Sequence, residues 1–210
     1  MNNSVTINNL SKKVKDTYIL KNISVQFKEG TIYGIVGKNG SGKTMLFKAI
    51  CGLINPTSGE ISIFNKTMKK GSFPENTGVI IENPGFLPQY SAFKNLKILS
   101  SIHNKIDDET IKKYINLMTL DADDNRPVKK FSLGMKQKLG IAQALMEEPK
   151  LLILDEPMNA LDEDSVINIR KILLDLKSKG VTILLSSHNK EDIEQLCDYI
   201  YTMKSGELII

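Results

Sequence analysis

One segment of the chain, residues 37–44, constrains both the local fold and the class of ligand. It follows the pattern G-x-x-x-x-G-K-[ST], in which a glycine-rich turn ends in a lysine and a hydroxyl residue. An apolar run, residues 31–36, precedes it directly, and residues 45–50 continue as a helical pattern. A helix N-terminus presents unpaired backbone N–H groups, and glycines let these groups surround a polyphosphate without side-chain clashes. The segment therefore predicts a strand, a phosphate-binding loop and a helix, with a nucleoside triphosphate as ligand.

All eight positions of this loop are expected to contact the nucleotide. They are Gly37, Lys38, Asn39, Gly40, Ser41, Gly42, Lys43 and Thr44. Lys43 would bring a positive charge to the phosphates, and the hydroxyl of Thr44 would be a ligand for Mg²⁺. The alternative is a chance match in a glycine-containing turn, but it does not account for the strand and helix patterns on either side.

Composition and charge exclude several other classes of protein. With 41% apolar residues in 210, the chain can form an ordinary packed core. The net charge of +4 comes from lysines scattered among acids, not from a basic stripe, so no nucleic-acid partner is expected. No apolar run approaches the roughly 18 residues that cross a bilayer, and the N-terminus does not read as a signal peptide. Cys51 and Cys197 are isolated, and each is predicted to lie on a helix. Isolated cysteines are typical of a reducing compartment, and a cytoplasmic protein is predicted.

Hydrophobic patterns along the chain predict an α/β protein. Apolar and polar residues alternate at 5–7 and 23–27, as in two half-buried strands of an antiparallel ribbon. The runs at 151–154 and 181–185 are nearly all apolar and are separated by a helical pattern. Short apolar strands that alternate with helices indicate a parallel sheet buried on both faces.

The middle of the chain has a different character. Apolar residues at 111–118 and 135–146 have helical spacing, and prolines mark both edges of this stretch. We therefore expect a helical lobe at 83–149, inserted into a nucleotide-binding core. The core, with its β-subdomain, would comprise residues 1–82 and 150–210, and the whole chain, 1–210, would form a single domain.

Two adjacent carboxylates, Asp155 and Glu156, follow the apolar run at 151–154. Open α/β sheets bind their ligands at the carboxyl ends of the strands. In a phosphate-loop protein Asp155 would hold Mg²⁺, directly or through water, and Glu156 would orient or deprotonate the attacking water. His188 follows the next predicted strand and would contact the γ-phosphate at the same edge. The predicted catalytic residues are thus Lys43, Glu156 and His188; an acidic turn and a structural histidine are the alternatives.

A second anion-binding element is predicted at the start of the helix that runs through Met146. Ser132 stands at a natural N-cap position, and Gly134 lies in the first turn. Many helices start in this way. What distinguishes this helix start from others is its position about twenty residues before Asp155.

The chain resembles the ATP-binding subunits of ABC transporters over essentially its whole length. The motifs that carry the resemblance are Walker A (37–44), the signature (Ser132, Leu133, Gly134 and Met135), Walker B (151–156), the D-loop with Asp162 (159–162) and the switch histidine, His188. The sequences of residues 81–88 and 131–137 resemble those of the bacterial bacitracin and lantibiotic export or immunity branch of the family. The resemblance implies an α/β fold of the P-loop NTPase type. It would have a RecA-like core, an N-terminal antiparallel β-subdomain and an inserted α-helical lobe.

Three positions depart from the family pattern. Glu82 replaces the usual Q-loop glutamine and, as a carboxylate, could also be a ligand of Mg²⁺. Leu133 replaces a glycine of the signature, which costs backbone freedom. Val14 occupies the position of the aromatic residue that stacks on adenine, and Tyr18 follows four residues later. Both are assigned to the nucleotide site, and the lack of an aromatic residue at position 14 predicts weaker affinity for the nucleotide or weaker discrimination of its base.

The resemblance implies an ATPase that works as a dimer. Two chains, identical or related, would enclose two ATP molecules between Walker A of one chain and the signature of the other. Ser132 and Gly134 would then act in trans, Asp162 would lie at the interface, and Thr44, Asp155 and Glu82 would organise Mg²⁺. A separate transmembrane permease subunit would hold the protein at the inner face of the cell membrane and would move the substrate, in this branch a peptide antibiotic or a similar compound.

Two alternatives belong to other classes. A soluble ABC-type ATPase that acts on ribosomes or DNA would resemble tandem cassettes or carry long coiled coils, and a single Walker A in 210 residues allows neither. A regulatory subunit that does not hydrolyse ATP would explain Glu82 and Val14, but intact Glu156 and His188 argue against it. Measurement of phosphate release separates this case from an active ATPase.

Overall fold

The computed structural model describes residues 2–209, which form ten β-strands and six α-helices. The strands are β1 (Asn3–Val14), β2 (Thr17–Lys28), β3 (Ile32–Val36), β4 (Ser58–Ile63), β5 (Lys66–Thr67), β6 (Thr77–Ile80), β7 (Leu151–Asp155), β8 (Thr182–Ser186), β9 (Tyr199–Lys204) and β10 (Glu207–Ile209). The helices are α1 (Lys43–Ile50), α2 (Ala92–Ser100), α3 (Asp108–Leu117), α4 (Leu133–Leu145), α5 (Glu163–Ser178) and α6 (Lys190–Leu196). A short 3-10 helix, Val128–Lys130, precedes α4.

The N-terminal part forms a four-stranded antiparallel sheet in the order β2-β1-β4-β5. In the β1–β2 pair Val5 lies opposite Phe27 and Ile7 opposite Val25, and all four side chains are buried. The apolar positions of the alternating pattern therefore share one face, which is the face that packs into the core. The predicted antiparallel β-subdomain is confirmed.

The second sheet has six strands in the order β10-β9-β3-β8-β7-β6, and the pairs from β9 to β6 are parallel. Every residue of β7 and β8 is buried, which explains their continuous apolar sequence. Because β3, β7 and β8 run in the same direction, their carboxyl ends meet at one edge. That edge brings together the phosphate loop, the two carboxylates at the end of β7 (Asp155 and Glu156) and the histidine after β8.

Three strands, the two-residue β5 and the C-terminal β9 and β10, have no counterpart among the predicted elements. Strand β9 extends the sheet beside β3, and β10 returns antiparallel to it. Most side chains of β9 are exposed, and only Met203 is fully buried. A strand at the border of a sheet has no need of a long apolar run, so hydrophobic patterning gave little signal here.

Helices α2, α3 and α4 follow β6 and precede β7, as a helical insertion requires. Leu152 and Leu154 of β7 pack in the same hydrophobic cluster as these helices. Leu151 and Ile153 pack in a second cluster, with α1 and the antiparallel sheet. Since alternate residues of a strand point to opposite faces, the helical lobe and the β-subdomain cover opposite faces of the parallel sheet. The predicted α/β class with an inserted helical lobe is confirmed.

The exact division into 1–82, 83–149 and 150–210 stays a prediction, and the terminal residues Met1 and Ile210 lie outside the described part. Within residues 2–209 the longest helix, α5, has 16 residues. None of the helices there combines the length and the apolar composition that crossing a bilayer requires.

Candidate nucleotide and magnesium site

The phosphate loop connects β3 to α1, as its sequence predicted. Gly37 has φ 152°, and a Cβ atom there would lie 2.4 Å from the carbonyl oxygen of Met203. Only glycine fits at such a close approach. The loop is also tied to the β9–β10 turn, because the N–H of Gly206 donates to the carbonyl of Ser41 at 2.9 Å. These two contacts fix the shape of the loop just before the N-terminus of α1.

A cavity of about 490 Å³ opens in front of this loop. Its lining comes from the β1–β2 hairpin, the phosphate loop, the ends of β7 and β8 and the β9–β10 turn. The predicted site residues that line it are Tyr18, Asn39, Gly40, Ser41, Gly42, Lys43, Thr44, Asp155, Glu156 and His188. Those that do not are Val14, Gly37, Lys38, Glu82, Ser132, Leu133, Gly134, Met135 and Asp162. Most of the predicted nucleotide residues and all the predicted catalytic residues therefore line one cavity, whereas the signature and the D-loop do not.

Lys43 lies across the loop. Its Nζ donates to the carbonyl oxygen of Gly37 at 2.8 Å, and the residue is only 7% exposed. The ammonium group is therefore held within the cavity by a neutral acceptor. A phosphate oxygen would be a stronger acceptor for the same group, because its negative charge adds Coulomb attraction to the hydrogen bond.

Thr44 and Asp155 place two oxygen atoms side by side. The Thr44 hydroxyl donates to Oδ2 of Asp155 at 2.6 Å, and the hydroxyl of Ser186 donates to Oδ1 at 2.6 Å. Asp155 is 7% exposed, so both of its oxygens are satisfied in a nearly dry setting. No group of three or more His, Cys, Asp or Glu residues in the described chain could hold a metal by itself. One carboxylate and one hydroxyl suit Mg²⁺, which keeps several waters and takes its remaining ligands from phosphates.

Glu156 follows β7 in the left-handed conformation, with φ 52°. Its N–H donates to the carbonyl and the hydroxyl of Ser186, at 3.2 and 3.1 Å. The N–H of His188 donates to Oε2 of Glu156 at 3.2 Å, and Nε2 of His188 lies 3.2 Å from Oε1. That last contact does not have hydrogen-bond geometry, so Oε1 is buried without a hydrogen-bond partner among residues 2–209. A buried carboxylate oxygen of this kind is well placed to accept a proton or a hydrogen bond from water.

The signature segment begins α4, where Ser132 is the N-cap. Its hydroxyl accepts from the N–H of Met135 at 3.1 Å. Leu133 is 62% exposed, and a Cβ atom on Gly134 would lie 2.7 Å from the carbonyl oxygen of Ala160 in the D-loop. The signature is therefore packed against the D-loop and presents an exposed leucine to solvent.

Asp162 is the N-cap of α5. Its side chain accepts from the backbone N–H of Ser165 at 2.8 Å, and hydrogen bonding with Ser165 lowers the pKa of Asp162. The carboxylate consequently remains ionised at the positive end of the helix, where a negative charge is favoured. This local role is compatible with the predicted interface role, which stays a prediction.

Glu82 lies away from the cavity. Its Oε1 is 2.6 Å from Nζ of Lys48 on α1, and its backbone is left-handed with φ 59°. In this conformation the carboxylate is paired with a lysine, so its assignment as an Mg²⁺ ligand stays a prediction. Val14 lies near the end of β1 and does not line the cavity, whereas Tyr18 does and is about half exposed.

Some residues that shape the site were not anticipated. Ser186 holds Asp155 and Glu156 together, and its place after an apolar run was a usable signal. Gln137 of α4 donates to the carbonyl of Pro157 at 3.0 Å and thereby reaches the turn after Glu156. No local pattern in the sequence indicates that contact, because it joins residues on two separate elements.

Comparison with known proteins identifies the family from the sequence and the fold from the structure. The ABC transporter family model matches residues 20–159. The uncharacterised ABC transporter ATP-binding protein YybJ of Bacillus subtilis (strain 168) is 51% identical over 205 residues, which are 97% of this chain and 94% of YybJ. The lantibiotic transport ATP-binding protein SrtF of Streptococcus pyogenes is 39% identical over 204 residues, 97% of this chain and 88% of SrtF.

The bacitracin transport ATP-binding protein BcrA of Enterococcus faecalis is 38% identical over 204 residues, 96% of this chain and 66% of BcrA. Among solved structures, the dimeric post-hydrolysis state of the ATP-binding cassette MJ0796 bound to ADP and Pi superposes with a TM-score of 0.88. The alignment covers 97% of this chain and 96% of that one, at 24% sequence identity. This last likeness establishes the fold.

Proposed function

The chain belongs to the ABC transporter family as an ATP-binding subunit with ATPase activity that powers transport, and we propose how its residues divide that work. Nothing in the comparisons supports the alternative of a soluble ABC-type ATPase that acts on a ribosome or nucleic acid. The observation that carries the proposal is the convergence of Lys43, Asp155, Glu156 and His188 on one cavity in front of the phosphate loop.

The phosphate end of ATP would lie along the loop, with the amides of residues 39–44 as donors. Lys43 would exchange its bond to the carbonyl of Gly37 for a bond to a phosphate oxygen. Thr44 and Asp155 would hold Mg²⁺, and Glu82 could join them only if it left Lys48. When bound, the metal neutralises charge on the β- and γ-phosphates.

Hydrolysis requires a water molecule that is positioned and deprotonated. Glu156 would do both, because it lines the cavity and its Oε1 is buried without a hydrogen-bond partner among residues 2–209. His188 would donate to the γ-phosphate from its ring, which is half exposed beside Glu156. The hydrogen bond from the His188 N–H to Oε2 holds the backbone of His188 next to the Glu156 carboxylate.

The site would be completed by a second chain. Ser132 and Gly134 do not line the cavity of their own chain, and the exposed Leu133 projects from the same turn. ABC cassettes dimerise, and a head-to-tail arrangement would bring this turn of one chain to the γ-phosphate of the other. Asp162 would then lie at the interface. We propose a homodimer, or a heterodimer with a related subunit.

On the base side of the nucleotide, Tyr18 is the residue we assign. It lines the cavity, and Nζ of Lys13 lies 5.7 Å from the centre of its ring. Val14, which occupies the position expected from the family, is outside the lining. An aromatic ring that is rigid and half exposed can stack on adenine, whereas valine offers only a small apolar contact.

Transport requires a membrane permease, and we propose that it docks near residues 82–93. Leu87 and Tyr90 are exposed in this segment, and the buried amide of Asn95 holds the segment through bonds to the N–H and carbonyl of Leu87. The carbonyl of Tyr90 accepts from the N–H of Val128, shortly before the signature. The segment could therefore pass a movement to Ser132, although ordinary loop packing would give the same contacts.

The similarity to SrtF and BcrA supports a peptide antibiotic or a similar compound as the transported substrate. Through its permease the protein would lie at the cytoplasmic face of the cell membrane. Co-expression with a candidate permease, copurification and transport assays with lantibiotics and bacitracin would test this part of the proposal.

The shared site has a direct test. Ser132→Arg and Lys43→Ala should each abolish phosphate release from Mg²⁺ and ATP, since one blocks the signature and the other removes the phosphate lysine. Mixing the two variants should restore part of the activity, because a mixed dimer retains one intact site. Absence of rescue, with both variants folded and able to exchange partners, would indicate a self-contained site in each chain.

A further inference from the structure

A buried ion pair lies behind the segment that carries His188, and the proposed mechanism does not use it. Arg170 on α5 donates from Nε and Nη2 to Oδ1 of Asp192 on α6, at 2.9 and 2.6 Å. Its Nη1 donates to Oε1 of Glu191 and to Oε1 of Gln195, both at 3.1 Å. Arg170 is 7% exposed and Asp192 is 1% exposed. Such a pair is tolerated in a core only when its polar atoms are satisfied, as they are here.

The second carboxylate oxygen of Asp192 reaches the switch segment, which we define as residues 187–189. The hydroxyl of Ser187 donates to Oδ2 of Asp192 at 2.8 Å, and the same hydroxyl oxygen accepts from the N–H of Asn189 at 3.1 Å. One buried hydroxyl therefore ties both sequence neighbours of His188 to the ion pair. On the opposite side, the N–H of His188 itself donates to Oε2 of Glu156.

We propose that Arg170 is a positioning residue for His188, acting through Asp192 and Ser187; this rests on the proposed role of His188 at the γ-phosphate. The side chain of His188 is 52% exposed, so packing does little to fix its ring. Its position depends instead on the backbone of the switch segment. Two bonds from one guanidinium orient the Asp192 carboxylate, which leaves its other oxygen directed at Ser187.

A purely structural role is the competing explanation, in which the ion pair only docks α6 onto α5. The chain offers a matched control for that explanation. Nζ of Lys177, near the end of α5, pairs with Oδ1 of Asp198, just after α6. This second pair links the same two parts of the chain, and Asp198 also accepts from the N–H of Ile32 rather than from the switch segment. Lys177→Met should therefore weaken the docking of the helices without changing the switch segment.

The deciding variant is Ser187→Ala, because it cuts the link to His188 and leaves the pair between Arg170 and Asp192 in place. With purified protein, Mg²⁺ and ATP, we expect kcat to fall about tenfold, as for the loss of one hydrogen bond to a charged group. KM and the Kd for ATP should stay within about twofold. Arg170→Lys, which keeps the charge but loses the paired donors, should lower kcat in the same way. Lys177→Met should retain the kcat of the wild type.

A double-mutant cycle separates positioning from general stabilisation. In the His188→Ala background, Ser187→Ala should cause no further loss of kcat, because there is no ring left to position. If the two substitutions instead lowered kcat by factors that multiply, the inference would be overturned and the role of His188 would stand. The same would follow if Ser187→Ala had the kcat of the wild type while His188→Ala was impaired. Full activity of His188→Ala would instead refute its proposed catalytic role, and the inference would fall with it.

Discussion

Replacement of Glu156 by glutamine tests the proposed catalytic base with little change to the structure. Glutamine has the same length and shape, and its side-chain oxygen can still accept from the N–H of His188, as Oε2 does at 3.2 Å. The other position, Oε1, has no hydrogen-bond partner within residues 2–209, and its 3.2 Å contact with Nε2 of His188 would remain as a contact with the amide group. The free energy of unfolding should therefore change by less than about 1 kcal/mol.

The effect on turnover should be much larger. Loss of a positioned general base typically lowers rates by about 10²–10⁴-fold, which corresponds to about 3–5 kcal/mol in the activation barrier. ATP binding should be retained, since Lys43, Thr44 and Asp155 are untouched. Bound ATP that is not hydrolysed should also keep dimers closed. Size-exclusion chromatography in the presence of ATP should therefore show a stable dimer of the Glu156→Gln variant.

Phosphate release at saturating Mg²⁺ and ATP measures turnover, and equilibrium binding of a fluorescent ATP analogue measures affinity. Glu75→Gln is a suitable control, because Glu75 is exposed, pairs with Lys66 at 2.9 Å and does not line the nucleotide cavity. Its turnover should equal that of the wild type. If Glu156→Gln hydrolysed ATP at the normal rate, Glu156 could not be the base, and the argument from its buried oxygen would fail.

Three further substitutions or treatments have definite expected outcomes. Gly134→Ala should reduce ATPase activity at least about tenfold, because the added Cβ would lie 2.7 Å from the carbonyl of Ala160; unchanged activity would show that the turn can move. Tyr18→Ala should weaken ATP binding by about 1–2 kcal/mol in a titration, whereas Tyr18→Phe should not, if the ring stacks on the base. Burial raises the pKa of Cys51 and Cys197 to about 12, so both should react slowly with a thiol reagent at pH 8 and rapidly once denatured. Because the folded-state pKa lies above the unfolded value, this contribution to stability should be complete below about pH 9 and should fall as the pH approaches 12.

The elements that were predicted from the sequence are those with strong local signals. Strands β7 and β8 are apolar at almost every position because both faces of the sheet are covered, and α4 starts at a serine that caps it. The phosphate loop was recognised by its glycines, and at Gly37 a close backbone contact leaves no room for a side chain. In each case neighbouring residues in the sequence decide the structure, so a short window contains the information.

What could not be predicted depends on contacts between distant segments. Both cysteines were placed on helices, whereas each stands just after one, at the C-cap of α1 and of α6. Lys48 pairs with Glu82, 34 positions away, and this pairing removes from the cavity a carboxylate that a motif comparison assigns to the metal. Arg170 reads as an ordinary charged residue of an amphipathic helix, yet it is buried against α6. The pattern of residues within one segment does not indicate which distant residue will be the partner of a given side chain.

Helix α4 links the two halves of the proposed composite site within one chain. Its N-cap, Ser132, belongs to the signature that would meet the nucleotide of the partner chain. About one turn later, Gln137 donates from Nε2 to the carbonyls of Pro157 and Glu156, at 3.0 and 3.4 Å. Gln137 is 6% exposed, so loss of these bonds would leave a buried amide unpaired, at a cost of about 1–3 kcal/mol. A displacement of the signature would therefore be resisted by, or passed to, the turn that carries Glu156. In the proposed dimer this would couple ATP contacts in one site to the base in the other.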